Sequence, residues 1–295
     1  MLNLQRVTMF IAVVDAGSFT LAAAALGQTK AVVSFNVRQL ENELGVTLLL
    51  RSTRRLRLTD AGTLFYQRGV ALLKAAENLQ DEVRASHTGL SGELRITTTP
   101  EYGAQVIIPA LAAFACRHPA LRVRHVSSSH HADLISERFD VAIRLGTLAD
   151  SRYRATRIAS FAILPVASPA WLASHPVQTL SDLAQADWII HERLSAPLRW
   201  QLRTDQQTEV DFAIASAPRF SADSATALMS FALAGCGIAL LPAWLVAEKV
   251  AQRELVPLLS EYHFPQQGVY ALYPDAQHMP TRVRAFIDFL REKVG

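Results

Sequence analysis

The chain has 295 residues, 50% hydrophobic and 19% charged, which excludes a disordered or fibrous polymer and leaves room for two domains with sizeable cores. Its net charge of +3 is unevenly placed: residues 1–60 hold seven Lys/Arg against four Asp/Glu, while the remaining 22 bases and 22 acids cancel. The excess positive charge therefore sits in the first fifth of the chain, as contact with an anionic polymer would require.

The pattern begins with a helix marked by Leu4, Val7, Phe10, Ile11 and Val14 and stopped by Gly17. Ser18 caps a short alanine-rich helix that Gly27 ends, and Thr29 caps a third helix. Val33, Val37, Leu40 and Leu44 form the buried stripe of that third helix. Its opposite side carries Ala31, Phe35 and Arg38, flanked by Val32, Ser34 and Gln39, and is the candidate reading surface. Beyond it, Arg51, Arg54, Arg55 and Arg57 lie on one hairpin with no acid between Gly45 and Asp60. A capped helix pair followed by a basic two-stranded wing fits a major groove and its phosphates, so double-stranded DNA is the expected partner. Phe35 has two open roles, apolar contact to thymine methyls or packing against a neighbour.

Thr59-Asp60-Ala61 starts a long helix that runs to about Ser86. Phe65, Gly69, Leu72, Ala76, Leu79 and Val83 alternate steps of four and three, a coiled-coil-like seam. Because this helix joins two domains, the seam is read as a dimerisation surface (Phe65, Leu72, Ala76, Leu79, Val83), with an intramolecular core face as the alternative.

From Glu93 onward strands alternate with helices: Leu94–Thr98, Ala104–Cys116, Leu121–Val126, a short helix over His131–Glu137, and Val141–Arg144. A second series starts near Ile163 and includes Trp188–Ile190, Ser224–Ala234, Ile238–Leu241 and Pro242–Val250, with Gly268–Tyr273 and Arg282–Lys293 closing the chain. Such alternation predicts βαβ units around mostly parallel sheets, in two α/β lobes that bind a small ligand at the strand ends. Thr98, Thr99, Glu101 and Tyr102 fall at the first such end. Arg144 closes another strand, facing either a ligand or a nearby acid, and His191 and Asp223 fall at equivalent ends in the second lobe.

Several classes are disfavoured. Cys116 and Cys236 form no CxxC pair or disulfide framework, which points to a reducing compartment, and buried apolar roles are expected for both. The apolar stretch Met9–Val14 is too short for a signal segment, and the tract Phe231–Ala247 is broken by Gly235, Gly237 and Pro242, so a cytoplasmic protein without membrane association is expected. His130, His131 and Asp133 read as a polar helix start, not as a metal site. No nucleophile elbow, Walker loop or dinucleotide fingerprint occurs, so neither an enzyme nor a cofactor or metal is expected.

Taken together, Gly17-Ser18-Phe19, Ala22-Ala23-Ala24, Thr29-Lys30, Val33-Ser34, Leu40-Glu41, Arg51-Ser52-Thr53-Arg54 and Leu58-Thr59-Asp60-Ala61-Gly62 resemble the LysR-type transcriptional regulators. The likeness extends to Gly92-Glu93-Leu94-Arg95-Ile96, Asp140 to Gly146, Asp150-Ser151, Ser168-Pro169 and Gly235 to Pro242. Its Ser/Thr-Lys recognition-helix start, Arg144-Leu145-Gly146 and Asp150-Ser151 look like one large branch of that family. The resemblance implies an α/β protein overall: a winged helix-turn-helix (1–59), a dimerising linker helix (60–89) and an effector domain (90–295) resembling periplasmic solute-binding proteins. Lobe one would comprise 92–161 and 268–295, and lobe two 162–267. The family match assigns DNA contact to Thr29, Lys30, Ser34 and Arg38. It also implies homodimers or homotetramers on inverted-repeat operators, a small effector in the inter-lobe cleft, and RNA polymerase as a further partner.

Three departures stand out: Leu49 replaces a usual Phe in the wing, Val32 and Phe35 replace polar or small residues, and Glu101 replaces an effector-binding hydroxyl. The last predicts an uncharged or amine-bearing effector, or one whose acid group lies near Arg144. A redox-sensing regulator using Cys116 and Cys236, or a solute-binding protein, are the alternative functions.

Overall fold

The computed structural model describes residues 2–51, 56–129, 134, 138–146, 153–194, 196–274 and 279–294. Three helices, α1 (Leu4–Ala16), α2 (Phe19–Ala25) and α3 (Lys30–Leu44), enclose a core that includes Val7, Phe10, Ile11, Ala22, Val33, Val37 and Leu40. Local chemistry sets their limits. Asn3 accepts from the N–H of Gln5 (2.9 Å), Ser18 from Thr20 (3.2 Å) and Thr29 from Val32 (3.3 Å), each satisfying a donor that the first turn leaves open. Gly17 and Gly45 stop α1 and α3 at φ 64° and 67°, a region costly for other residues. The terminal turns outrun the core, so Leu4 (43% exposed) and Leu44 (37%), both expected inside, are not buried.

The wing is β1 (Leu49–Arg51) paired antiparallel with β2 (Leu56–Leu58). Glu41 of α3 accepts from the N–H groups of Leu48 (2.8 Å) and Leu49 (3.1 Å), tying the wing's root to the third helix. Thr59 accepts from Gly62 N–H (2.9 Å) and so caps the long helix α4 (Asp60–Thr88). A Cβ on Gly62 would sit 2.1 Å from the Leu48 carbonyl oxygen. Gly62→Ala therefore forces the wing root aside, and faster amide exchange at Leu48 and Leu49 is the expected result. Unchanged exchange would mean that α4 shifts instead.

Gly69 lets α4 approach α1, with Val7 and Ile11 each 3.2 Å from where its Cβ would be. Phe65, half-buried, meets Phe10 edge-on at 5.4 Å and packs against the helix-turn-helix core. The start of the seam is consumed within the chain because the helical domain covers that part of α4. Farther along, Leu72, Leu79 and Val83 are 40%, 63% and 61% exposed, and Ala76 is half-buried.

The rest of the chain builds two larger sheets and one small one. In chain order its elements begin with β3 (Gly92–Thr98), α5 (Pro100–Tyr102), a π-helical turn (Gly103–Ile107) and α6 (Ile108–Arg117). There follow β4 (Leu121–Ser127), β5 (Val141–Leu145), β6 (Tyr153–Phe161), β7 (Ile163–Ala167), α7 (Pro169–Ser174), α8 (Leu180–Gln185) and β8 (Trp188–His191). The hairpin β9 (Arg199–Thr204) and β10 (Glu209–Ala213) leads to β11 (Phe220–Ala222), α9 (Ala225–Leu233), β12 (Ile238–Pro242) and α10 (Ala243–Ala251). The chain ends with β13 (Val256–Pro257), β14 (Tyr262–His263), β15 (Gln267–Pro274) and α11 (Thr281–Val294).

One sheet has the order β4-β3-β5-β15-β6 and the other β11-β8-β12-β7-β13, with β10-β9-β14 beside the second. The sheets are mixed, which corrects the mostly parallel expectation. β3 is parallel to β4 and β5, and β8 to β11 and β12, whereas β15 and β7 run antiparallel to their neighbours. The reason is connectivity. β6 and β7, separated by Ala162, carry the chain from the first sheet into the second, and β15 brings it back against the βαβ strands. Phe114, Phe286 and Phe289 pack α6 and α11 together over the first sheet. No single helix among the described residues is long and apolar enough to cross a membrane.

Candidate functional site

Two places gather the candidate residues. The first is the outer face of α3. Val33, Val37 and Leu40 are wholly buried, and the register this imposes turns Lys30, Ala31, Val32, Phe35 and Arg38 outward, with Thr29 exposed at the cap and Ser34 half-buried. Phe35 is 60% exposed, an aromatic ring held in water with no ring neighbour recorded among the described residues. Leu21 on α2, also 60% exposed, was not singled out from the sequence; its place on an alanine-rich helix gave no signal. Leu49 is buried in the core, so its departure from the family pattern is a packing matter. Arg57 is exposed on β2, whereas Arg54, Arg55 and the Arg51 side chain lie outside the described residues, as do His130, His131 and Asp133.

The second place is the seam between the two larger sheets. Glu101, in α5 of the first lobe, accepts a 2.7 Å hydrogen bond from the hydroxyl of Ser224, the N-cap of α9 in the second. Arg193, just past β8, donates through Nη1 to the Ser129 carbonyl of the first lobe (2.7 Å) and through Nη2 to Asp223 (2.8 Å). Its backbone N–H also donates to Nδ1 of His191 (3.2 Å). Burial holds the His191 pKa below its ordinary value, Arg193 pushes it the same way, and Glu101, Asp223 and Glu192 oppose them. The Arg193 guanidinium keeps the Asp223 carboxyl below the usual range. Glu101, His191 and Asp223, chosen from strand ends, are thus brought together. Ser224 and Arg193 were missed, although one directly follows Asp223 and the other lies two residues after His191.

Tyr102, next to Glu101, is 3% exposed and desolvation pushes its hydroxyl up to about 12. Its ring meets Trp244 of α10 at 5.1 Å and Phe161 of the crossing strand at 6.4 Å. The indole N–H of Trp244 and the Thr99 hydroxyl are buried without a hydrogen-bond partner among the described residues. The other two candidates turn elsewhere. Thr98 is wholly buried and shares a 2.8 Å hydrogen bond with His125, in space that Gly103 leaves by lacking a Cβ. Arg144 is 7% exposed and donates to the Ile143 carbonyl (3.0 Å) and the Thr97 hydroxyl (3.3 Å). Cys116 is exposed and Cys236 half-buried, so the buried role expected of Cys116 does not hold: its helix position faces solvent.

A set of polar contacts, exposed at Asp15 and buried at Asp140, ties α1 and α4 to the effector domain. Asp15 of α1 accepts from the Tyr66 hydroxyl of α4 (2.5 Å) and pairs with Arg138 near β5 (2.6 Å). Asp140, 5% exposed, accepts from Arg95 N–H (2.8 Å), pairs with Lys74 of α4 (3.0 Å) and lies 3.7 Å from Arg282. Arg282 in turn donates to Asn78 of α4 (2.7 Å).

Comparison with known proteins defines the class. Residues 4–63 match the bacterial regulatory helix-turn-helix protein, lysR family, and residues 87–295 match the LysR substrate binding domain. The chain is 38% identical over 295 residues to the HTH-type transcriptional regulator PtxR of Pseudomonas aeruginosa, covering 100% of this chain and 94% of that one. The solved structure of CrgA, a LysR-type transcriptional regulator from Neisseria meningitidis, covers 100% of both chains at 32% identity and a TM-score of 0.60. Full-length AphB, a virulence activator of Vibrio cholerae, covers 98% of both at 30% identity and the same TM-score, 0.60. This chain belongs to the LysR family of transcriptional regulators. It is a DNA-binding regulator whose helix-turn-helix precedes a two-lobed substrate-binding domain, in a family that binds DNA and small effectors and forms oligomers.

Proposed function

We propose that the exposed face of α3 reads an inverted-repeat operator in the major groove, while the two lobes close on a small effector that sets the regulator's output. The observation that carries the DNA half is the division of α3. Val33, Val37 and Leu40 of its apolar stripe are wholly buried, and Lys30, Ala31, Val32, Phe35 and Arg38 share the exposed side, with Thr29 and Ser34 beside them. Arg51, Arg54 and Arg55 of the wing clamp phosphates. Residues 1–59 act as the DNA-binding domain, 60–89 as the dimerising linker and 90–295 as the effector domain, in a cytoplasmic dimer or tetramer that addresses RNA polymerase. The Thr29-Lys30 start, Arg144-Leu145-Gly146 and Asp150-Ser151 support a reading of the chain as one of a large branch of the family. Glu101, Tyr102, Thr99, His191 and Asp223 line the effector cleft, supported by the bonds that Glu101 and Arg193 make between lobes. Thr98 and Arg144 support the cleft from the sheet beneath.

The test uses the base that Phe35 would touch. Replacing thymine by uracil in an operator half-site removes the methyl and is expected to weaken binding by about 1 kcal/mol per contacted base. Phe35→Ala abolishes that sensitivity while leaving binding to random duplex unchanged. Equal affinity of the wild type for both operators would remove Phe35 from the base-reading set.

A further inference from the structure

Glu101 is a carboxylate held between two lobes, and the bonds around it assign it more than a surface role. Its hydrogen-bond partner among the described residues is the Ser224 hydroxyl, 123 positions away in the chain. Arg193 of the same seam is committed to Asp223 and the Ser129 carbonyl. Glu192, a third acid of this rim, accepts from Ser221 at 2.6 Å. His191 has its pKa lowered and does not supply a standing cation. A hydroxyl donor stabilises a carboxylate but leaves its full charge in place.

The neighbouring wall shows what is still lacking. The Trp244 indole N–H and the Thr99 hydroxyl are both buried without a partner among the described residues; Trp244 touches the Tyr102 ring and Thr99 is the N-cap of the turn that carries Glu101 and Tyr102. Folded proteins rarely leave such groups unsatisfied, so an acceptor atom, from ordered water or from a ligand that displaces it, completes them. Phe161 and Trp244, half-buried around the buried Tyr102 ring, add aromatic edges next to that pair, which attract cations as well as apolar rings.

We infer that Glu101 is a resident carboxylate that latches the lobes through Ser224 and sets the effector's charge, so that the cleft accepts a small amine-bearing molecule and rejects a simple carboxylate. An ammonium group would answer the charge of Glu101, an acceptor on the same molecule would take the Trp244 N–H, and its apolar body would lie on the aromatic wall. A carboxylate would instead face Glu101 across the latch, where like charges oppose each other. This inference rests on the reading of the inter-lobe cleft as the effector site.

The test uses full-length protein and two probes of one shape and opposite charge, benzylamine and benzoate, with affinities measured by titration calorimetry. The wild type is expected to prefer benzylamine by about tenfold or more. Glu101→Gln, which keeps an acceptor for Ser224 but removes the charge, should erase most of that preference. Melting temperatures of Glu101→Ala, Ser224→Ala and the double variant should be non-additive, as for one shared bond. Unchanged preference in Glu101→Gln, a wild type that favours benzoate, absence of benzylamine binding at millimolar concentration, or strictly additive melting shifts would each overturn the inference. Trp244→Phe separates the two levels of failure. If benzylamine binding ignores both Glu101→Gln and Trp244→Phe, the cleft is not the binding site. If Trp244→Phe weakens it and Glu101→Gln leaves the charge preference intact, only the role of Glu101 falls.

Discussion

Asp140→Ala destabilises the effector domain by about 3 kcal/mol, the lower end for removing one partner of a buried ion pair. The Asp140 side chain is 2% exposed and that of Arg282 4%, so neither charge can be handed to bulk water when the other is deleted. Lys74, 21% exposed, recovers part of its hydration, which keeps the effect toward that lower end. The Arg95 N–H also loses its acceptor where β3 and β5 begin to pair. For a domain of this size, about 3 kcal/mol corresponds to a fall of roughly 6–12 °C in melting temperature. Asp140→Asn keeps an oxygen for Arg95 and loses only the charge, so it should fall between wild type and Asp140→Ala. Equal melting of all three proteins would show that the cluster contributes nothing net. Because Lys74 and Asn78 lie on α4, the same substitution loosens the joint between linker helix and effector domain, and amide exchange in α4 around these residues should rise with it.

What could be read in advance followed from local chemistry. Ser18, Thr29, Gly17 and Gly45 mark helix ends because capping and left-handed stops depend on a few adjacent residues, and they behave that way here. Trp188–Ile190 and Ile238–Leu241 declared themselves as strands because both faces are covered, leaving continuous apolar runs. The hairpin β9-β10 was legible but missed: Trp200 and Leu202 alternate with Gln201 and Arg203, and Val210 and Phe212 with Glu209 and Asp211, the period of a half-buried strand. β6 was hidden because Arg154, Ala155 and Arg157 are all exposed and break that period. The site divides along similar lines. Strand ends located Glu101, His191 and Asp223, but the bond from Ser224 to Glu101 spans 123 positions and the bond from Arg282 to Asn78 spans 204. Contacts that distant depend on how the lobes and the linker dock, which no local pattern encodes. Phe65 shows the converse: it fits the seam's period perfectly well, yet its position opposite Phe10 packs it against the helix-turn-helix core.

Placing lysine at Leu72 or Leu79 is expected to break the oligomer. Both side chains are exposed on α4, Leu79 beyond the last residue packed on the helix-turn-helix core (Leu73), with Ala76 between them and Val83 following at the same spacing. A stripe of this kind on a linker helix is suited to a symmetric partner, where each residue meets its own copy or a close neighbour. One substitution then acts twice. Losing two buried leucines removes about 3–6 kcal/mol of apolar burial, and the paired ammonium groups add repulsion. That weakens self-association by roughly 10²–10⁴-fold, enough to turn a micromolar-scale mixture from dimer to monomer in sedimentation. Operator affinity should fall by a comparable factor, because two half-sites are no longer held by one particle, while binding of a single half-site stays as before. Leu64, 59% exposed but about two turns before Leu72 and off the stripe, serves as the control, and Leu64→Lys should leave the oligomer intact. Intact oligomers in both Leu72→Lys and Leu79→Lys would assign self-association to another surface and leave α4 as a spacer between the two domains.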